Sequence, residues 1–439
     1  MAVTEVVTSP RAPARMHRGT RAFRNMNMAM FAAGLATFGL IYCVQPLMPA
    51  FSAEYGVNEA TSALSLSVTT VLLAFGMLLA GAVADRFGRK PVMVASIMSS
   101  AVLVLVSAVT PGWHSFLLTR TLLGITVSGL PAVAMTYLAE EVDAESIGLG
   151  MGLYISGSAV GGMGGRLIAG VVADVLGWRL GIVAVGVVCT LAGLMFWRAL
   201  PASRHFTPQA VNLRSTVQHV TGMFHDSGLP WLFLEGFLLL GAFVTVYNYL
   251  GYRLMAAPYH LSQAAVGLLF SIYIVGMFSS TWMGDLAGRL GRRRVFWTAF
   301  VIMLAGLALT LVDSLWVILL GVALVTFGFF GGHSIASSWV GRRATQRGAG
   351  THGSSSYLFA YYMGSSLCGF SGGLFYANDG WNGVAIFVGA LVLAGLLVAL
   401  RLHHLPPLRG AASMRDSRSS ARRAAAAQAP ESVGTTHPA

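Results

Sequence analysis

The densest chemistry in this chain lies between Gly81 and Lys90, which read Gly-Ala-Val-Ala-Asp-Arg-Phe-Gly-Arg-Lys between two long apolar runs. One carboxylate, Asp85, stands beside three cations, Arg86, Arg89 and Lys90, and two glycines, Gly81 and Gly88. An acid near a helix C-terminus is disfavoured by the helix dipole unless a partner compensates it. The simpler reading is a solvated loop whose cations fix membrane topology. The stretch has a twin: 203 positions on, Gly284, Arg289, Gly291 and Arg292 repeat Gly81, Arg86, Gly88 and Arg89. Gly288 stands where the acid was, and Asp285 comes three positions too early to replace it.

A second set of candidates is ionisable yet embedded in apolar sequence: Arg120, Arg166, Glu235 and His333. Charges inside a membrane are costly and rarely face lipid. Glu235 and His333 lie at similar depth in their runs, and a buried carboxylate near an imidazole can carry a coupling proton. The bland alternatives are that Glu235 snorkels to the surface and that His333 only bonds a neighbouring helix. For Arg166 the first reading is an ion contact with Asp174, eight residues on; the sharper one is an anionic substrate. The repeat maps Gln45 onto Asn248, which places two amides across a central cavity and suits a polar substrate. Tyr42, Tyr247, Tyr249, Tyr357 and Tyr361 are candidates for an aromatic wall, with an interfacial belt as the alternative for Tyr249 and Tyr252.

These residues need positioning elements, and composition says what kind. Of 439 residues 55% are hydrophobic and 10% charged, an excess of apolar surface that only lipid can cover. The net charge of +12 then belongs to loops at a membrane surface rather than to a nucleic-acid partner. Cys43, Cys189 and Cys368 fall in apolar runs without metal-like spacing, and read as packing residues, with no metal and no cofactor. Twelve windows of membrane-spanning length fit: 27–49, 62–84, 91–110, 113–138, 147–172, 179–199, 231–252, 263–286, 294–312, 314–338, 351–374 and 380–402. The expected domains are a basic arm 1–26, a six-helix bundle 27–199, a linker 200–230, a second bundle 231–402 and a disordered tail 403–439. The first 26 residues lack a signal peptide's apolar core and cleavage site. In the linker, Leu213, Val217, Val220 and Phe224 have helical spacing, which reads either as an amphipathic helix or as a flexible connection.

All but four of the 28 Lys and Arg, the exceptions being Arg120, Arg166, Arg179 and Arg253, collect at the termini and at loops of one side. The positive-inside rule makes that side cytoplasmic, with both termini in. Gly161, Gly170, Gly177 and Trp178 recur at the same offset as Gly364, Gly373, Gly380 and Trp381. Two six-helix halves facing the same way are the parallel repeat known in one large class of secondary transporters.

At this point the chain resembles the major facilitator superfamily over residues 25 to 402. Gly81 to Lys90 matches that family's loop signature G-x-x-x-D-R-x-G-R-K at every specified place. Finer details, such as Tyr42-Cys43-Val44-Gln45-Pro46 and Phe330-Gly331-Gly332-His333-Ser334, resemble its bacterial acriflavine-sensitivity or arabinose-efflux-like branch. The resemblance implies an all-α fold of twelve transmembrane helices in two pseudo-symmetric bundles. It implies that Asp85 meets the start of span eleven near Thr351 and Arg347 as a latch, and that Arg120, in Arg-Thr-Leu-Leu-Gly, takes part in proton coupling. The antiporter signature of span five is partial: Gly157, Gly161 and Gly165 keep their places, but Gly162 and Arg166 replace a proline and a glycine. Together these imply a proton-coupled exporter of a small organic molecule such as a drug or sugar, working as a monomer in a bacterial plasma membrane. Uptake by symport is the alternative, and a membrane enzyme or sensor is the different class, for which no catalytic or nucleotide-binding pattern is present.

Overall fold

The computed structural model describes residues 15–143, 145–206, 221–346 and 350–405, with the side chains at 350 and 351 left out. The N-terminal arm up to residue 14, the tail from 406, Arg347 and most of the expected linker helix, from Leu213 to Val220, lie outside the described residues. Among the described residues there is no strand, only an isolated parallel bridge between Met16 and Val142.

Twelve crossings follow one another. The first half holds α1 (Arg21–Tyr42), α2 (Glu59–Phe87), α3 (Arg89–Ser107), α4 (Trp113–Val127 continued by Gly129–Glu141), α5 (Ile147–Leu176) and α6 (Trp178–Ala199). The second half holds α7 (Leu229–Met255), α8 (Gln263–Leu268 continued to Leu290), α9 (Arg292–Leu309) and α10 (Leu315–Thr345). Its last two crossings, α11 (350–378) and α12 (381–403), form one continuous stretch broken at Asp379 and Gly380, where the backbone leaves helical values. Among the described residues ten stretches are long and apolar enough to span a bilayer. One of them, His352–His403, would be about 78 Å long at ~1.5 Å per residue, twice the need, and so supplies two crossings. The remaining crossing, α9, opens on three arginines that mask its apolarity.

Local chemistry sets the ends. Thr20 caps α1 by accepting the Phe23 N–H at 3.2 Å, so this helix begins at Arg21 rather than at 27. Its continuation is interrupted by Pro46, in a short 3-10 turn before the helix Met48–Tyr55. Gly88 and Gly291, at φ +92° and +96°, join α2 to α3 and α8 to α9. Gly177 and Gly380, at +83° and +56°, join α5 to α6 and α11 to α12. These are repeat-equivalent pairs, and each needs a left-handed backbone that a side chain would strain. The internal repeat is therefore present in the backbone as well as in the sequence.

The glycine faces of α5 and α11 pack within their own halves. A Cβ on Gly157 would fall 2.1 Å from the carbonyl oxygen of Phe31, and one on Gly161 2.1 Å from that of Leu35, both in α1. Likewise a Cβ on Gly364 would fall 2.0 Å from the Phe237 carbonyl oxygen in α7. Contact between the halves falls instead to Gly170 against Gly267 of α8, and to Gly373 against Ala60 of α2. Replacing Gly364 by Ala should force α7 and α11 apart and cost about 1–3 kcal/mol, as overpacking does. Gly152→Ala, where a Cβ meets nothing within 4 Å, should leave the melting temperature of the purified protein unchanged.

Candidate functional site

The two halves are joined in a buried polar layer at the end of the molecule remote from Gly81. Gln45, just beyond α1, donates from Nε2 to Asn248 Oδ1 of α7 at 2.7 Å. Its Oε1 accepts from Arg166 Nε of α5 at 2.7 Å, and Arg166 Nη1 donates to the Gly162 carbonyl at 2.6 Å. The guanidinium lies 4.3 Å from the Tyr42 ring centre and 4.9 Å from those of Phe270 and Tyr273 in α8. Neighbouring bonds cross the same boundary: Ser52 with Tyr252 at 2.7 Å, Gln263 to the Pro46 carbonyl, and Ser366 with both Thr70 and the Ser67 carbonyl.

Two expectations change here. Gln45 and Asn248 do not face each other across an open cavity; they touch, because the repeat places them on the axis relating the halves. Nor does Arg166 pair with Asp174, since its guanidinium turns inward to the amide and the rings. Arg120, also fully buried, donates to the carbonyls of Leu40 at 3.2 Å, Ile41 at 2.7 Å and Ser65 at 2.9 Å. The first two belong to the last turn of α1, whose carbonyls lack helical partners, so the cation completes that helix end.

A second cluster occupies the second half. His333 Nδ1 of α10 shares a hydrogen bond of 2.9 Å with the Tyr357 hydroxyl of α11, and its ring lies 4.6 Å from that of Tyr361. Glu235 of α7 has no solvent exposure, and neither carboxylate oxygen has a hydrogen-bond partner. Its Oε2 would lie 3.3 Å from a Cβ built on Gly395 of α12. Glu235 therefore does not snorkel. Nor does it bond His333: the imidazole faces Tyr357 and Tyr361, while the acid turns towards α12.

The aromatic candidates divide. Tyr42 covers Arg166, Tyr247 bonds Thr326 at 2.8 Å, and Tyr249 bonds the Gly369 carbonyl at 2.6 Å. The interfacial-belt reading of Tyr249 and Tyr252 is corrected, since Tyr249 is buried and Tyr252 bridges to Ser52. Tyr273, Phe270 and Phe329 belong to the same aromatic assembly and were not singled out from sequence. They sit in uniformly apolar runs, with no spacing that marks them.

At the arginine-rich end, Asp85 in the last turn of α2 bonds Arg89 at the start of α3 at 2.6 Å, and Arg89 also bonds Glu140 of α4 at 2.9 Å. Lys90 donates to the Leu200 carbonyl, and Phe206 lies under Arg89, so the linker's first residues are pinned to the first half. Among the described residues no bond joins Gly81, Asp85, Arg86, Gly88, Arg89 or Lys90 to the second half. The expected contact with Thr351 and Arg347 falls on positions whose side chains are not described. In the twin, Arg289 pairs with Asp285 at 2.8 Å on the surface, and Arg292 donates to Ser338 at 3.1 Å. Gly284 lies against Ser334, while Gly291 makes the turn.

The sequence matches the Major Facilitator Superfamily over residues 30–255 and 232–430. It is 48% identical over 386 residues to the inner membrane transport protein YnfM of Escherichia coli (strain K12), covering 88% of this chain and 92% of that protein. The chain belongs to the major facilitator superfamily. An uncharacterised MFS-type transporter, YybF of Bacillus subtilis (strain 168), is 44% identical over 381 residues, covering 87% of this chain and 94% of that one. Among solved structures the nucleoside transporter NupG superposes with a TM-score of 0.71 at 15% identity, over 87% of this chain and all of NupG. A peptide transporter, POT, gives 0.70 at 14% over 89% of this chain and 96% of that one. At such identities they share the fold, twelve helices in two bundles. This chain is thus a multi-pass membrane transporter of the superfamily.

Sequence reading missed one pair at the arginine-rich end of the second half. Asp226 accepts from Arg343 Nε of α10 at 2.5 Å and from the N–H groups of Gly228 and Leu229, at the start of α7. Burial opposes ionisation of this carboxyl, but the guanidinium and the two N–H groups outweigh it and hold its pKa below the ordinary 3.8. A depressed carboxyl stabilises the fold above its unfolded pKa, and that stability is lost as pH falls through the folded value. Asp226→Asn should cost about 3–5 kcal/mol at neutral pH by leaving Arg343 buried without its charge. The melting temperature of the wild type should drop more steeply below about pH 4 than that of the variant.

Proposed function

We propose that the protein is a proton-coupled exporter of a small organic molecule, working as a monomer by alternating access. The observation that carries this reading is Glu235. A carboxylate buried in a membrane bundle without any hydrogen bond or counter-charge is costly in its charged form, so a bound proton is its resting state. Release then requires a rearrangement that brings water or a partner to it, and that requirement ties proton movement to conformation. Tyr357, which bonds His333 in the aromatic assembly, lies against Gly236, the residue after this acid, and is the proposed link to the substrate region.

The bonds between halves support the second part of the reading. They cluster at the Gln45 layer and are absent, among the described residues, from the Gly81 end. With the cation-rich end in the cytoplasm and both termini inside, as the positive-inside rule demands, the Gln45 layer holds the halves together on the outer side. Opening the other way requires the Gln45 to Asn248 bond to part and the Gly81 end to close. There Asp85, held in this state by Arg89, is free to exchange partners as a latch. The substrate region lies between Tyr42, Arg166, Tyr247 and Tyr361, below the polar layer. Export is favoured over uptake by the glycines Gly157, Gly161 and Gly165, which resemble the antiporter signature.

Purified protein in proteoliposomes with a trapped pH dye, challenged with a panel of drugs and sugars under an imposed proton gradient, tests this. An active compound should move protons opposite to itself. Glu235→Gln should cut proton movement roughly tenfold, equivalent to about 1.4 kcal/mol, while substrate binding persists. Protons travelling with the substrate would establish uptake instead, and an unchanged proton dependence in Glu235→Gln would remove that residue from the mechanism.

A further inference from the structure

The N-terminal end of α1, together with α5 and α6, encloses a cavity of about 770 Å³ that the transport reading does not use. Its mouth carries Arg21 and Arg24, both exposed; among the described residues neither is in an ion pair and no acid lines the cavity. Its deeper wall is apolar, running down α1 to Phe31 and across to Met195 of α6. From Arg21 to Phe31 the helix rises about 15 Å at ~1.5 Å per residue, half the hydrocarbon thickness of a bilayer. Met195 and Met28 are 43% and 45% exposed, so the cavity lies open on the outside of the first half. Between mouth and wall stands Asn27, 9% exposed, whose Oδ1 is buried without a hydrogen-bond partner.

Two chemistries therefore stand in order along one slot: two cations at a helix N-terminus, and an apolar trough. A helix N-terminus flanked by arginines favours a phosphate, through its free N–H groups and its dipole. The trough fits hydrocarbon. Basic pockets between transmembrane helices at the membrane boundary select anionic headgroups.

We propose that this cavity binds one anionic phospholipid. Its phosphate sits between Arg21 and Arg24, and an acyl chain lies against Phe31 and Met195. The two unneutralised cations make the preference one for phosphatidylglycerol over zwitterionic lipids. This site is independent of substrate and of transport direction.

The test is lipid retention by the full-length protein, delipidated in detergent, titrated with phosphatidylglycerol or phosphatidylcholine of equal chain length and read by native mass spectrometry. Phosphatidylglycerol should bind with a clear preference that falls about fivefold for each arginine removed in Arg21→Gln and Arg24→Gln. The double lysine variant, Arg21→Lys with Arg24→Lys, should restore most of the preference. Arg294→Gln, an exposed cation of the other half, should leave it intact. Should the glutamine variants fold poorly, Met195→Trp, which fills the trough without touching charge, should weaken retention of phosphatidylglycerol. Equal retention of the two lipids, or preference unchanged in the glutamine variants, overturns the proposal. Displacement of the lipid by millimolar inorganic phosphate also overturns it, by marking a free-anion site.

Discussion

Everything in this structure turns on the bond between Gln45 and Asn248. Inside a membrane bundle a polar group without a partner costs more than its bond is worth in water, so two amides brought together there hold each other. The internal repeat brings them together: they occupy equivalent positions in the two halves, and equivalent positions meet only at the axis between them. Arg166 completes the arrangement by bonding Gln45 while lying among the rings of α8. A single buried chain thus ties α1, α5, α7 and α8, the elements that must part for the halves to rock.

The rest of the interface is suited to sliding. Gly170 against Gly267 and Gly373 against Ala60 bring backbones together without interlocking side chains, and the bonds of Ser366 with Thr70 and Ser67 are short-range and exchangeable. Within each half the packing is different. Gly157, Gly161 and Gly364 seat α5 on α1 and α11 on α7 so closely that a single methyl would collide with backbone. Each half is therefore stiff, and motion is concentrated where they meet. The charge clusters at the other end also lie within halves: Arg89 with Asp85 and Glu140 in the first, Arg343 with Asp226 in the second.

Much of this was legible in the sequence because it rests on periodicity. Apolar run length gave twelve crossings, and the shared offset of Gly88 with Gly291 and Gly177 with Gly380 gave two similar halves, since a positive φ leaves glycine little competition. Side-chain partnerships were less legible. The repeat paired Gln45 with Asn248 but not the distance between them, which depends on the conformation. Arg166 was read against Asp174 on its own helix, yet its partners come from two other helices. Arg120 serves the carbonyls of α1, which leave no trace in residue types. Asp226 and Arg343 stand 117 positions apart, and nothing in spacing joins them.

The central claim of the proposed alternating access is that the Gln45 layer holds the two halves together at its own end, and it is most directly tested by distances. Phe87 and Leu290, and Val109 and Val312, are exposed repeat-equivalent pairs at opposite ends of the molecule. Spin labels on each pair, read by pulsed electron resonance in lipid with and without Gln45→Leu, report both ends at once. The account predicts that losing the amide bond shortens the distance between positions 87 and 290 while lengthening that between 109 and 312. Two distances that stay fixed, or that change in the same direction, would contradict it.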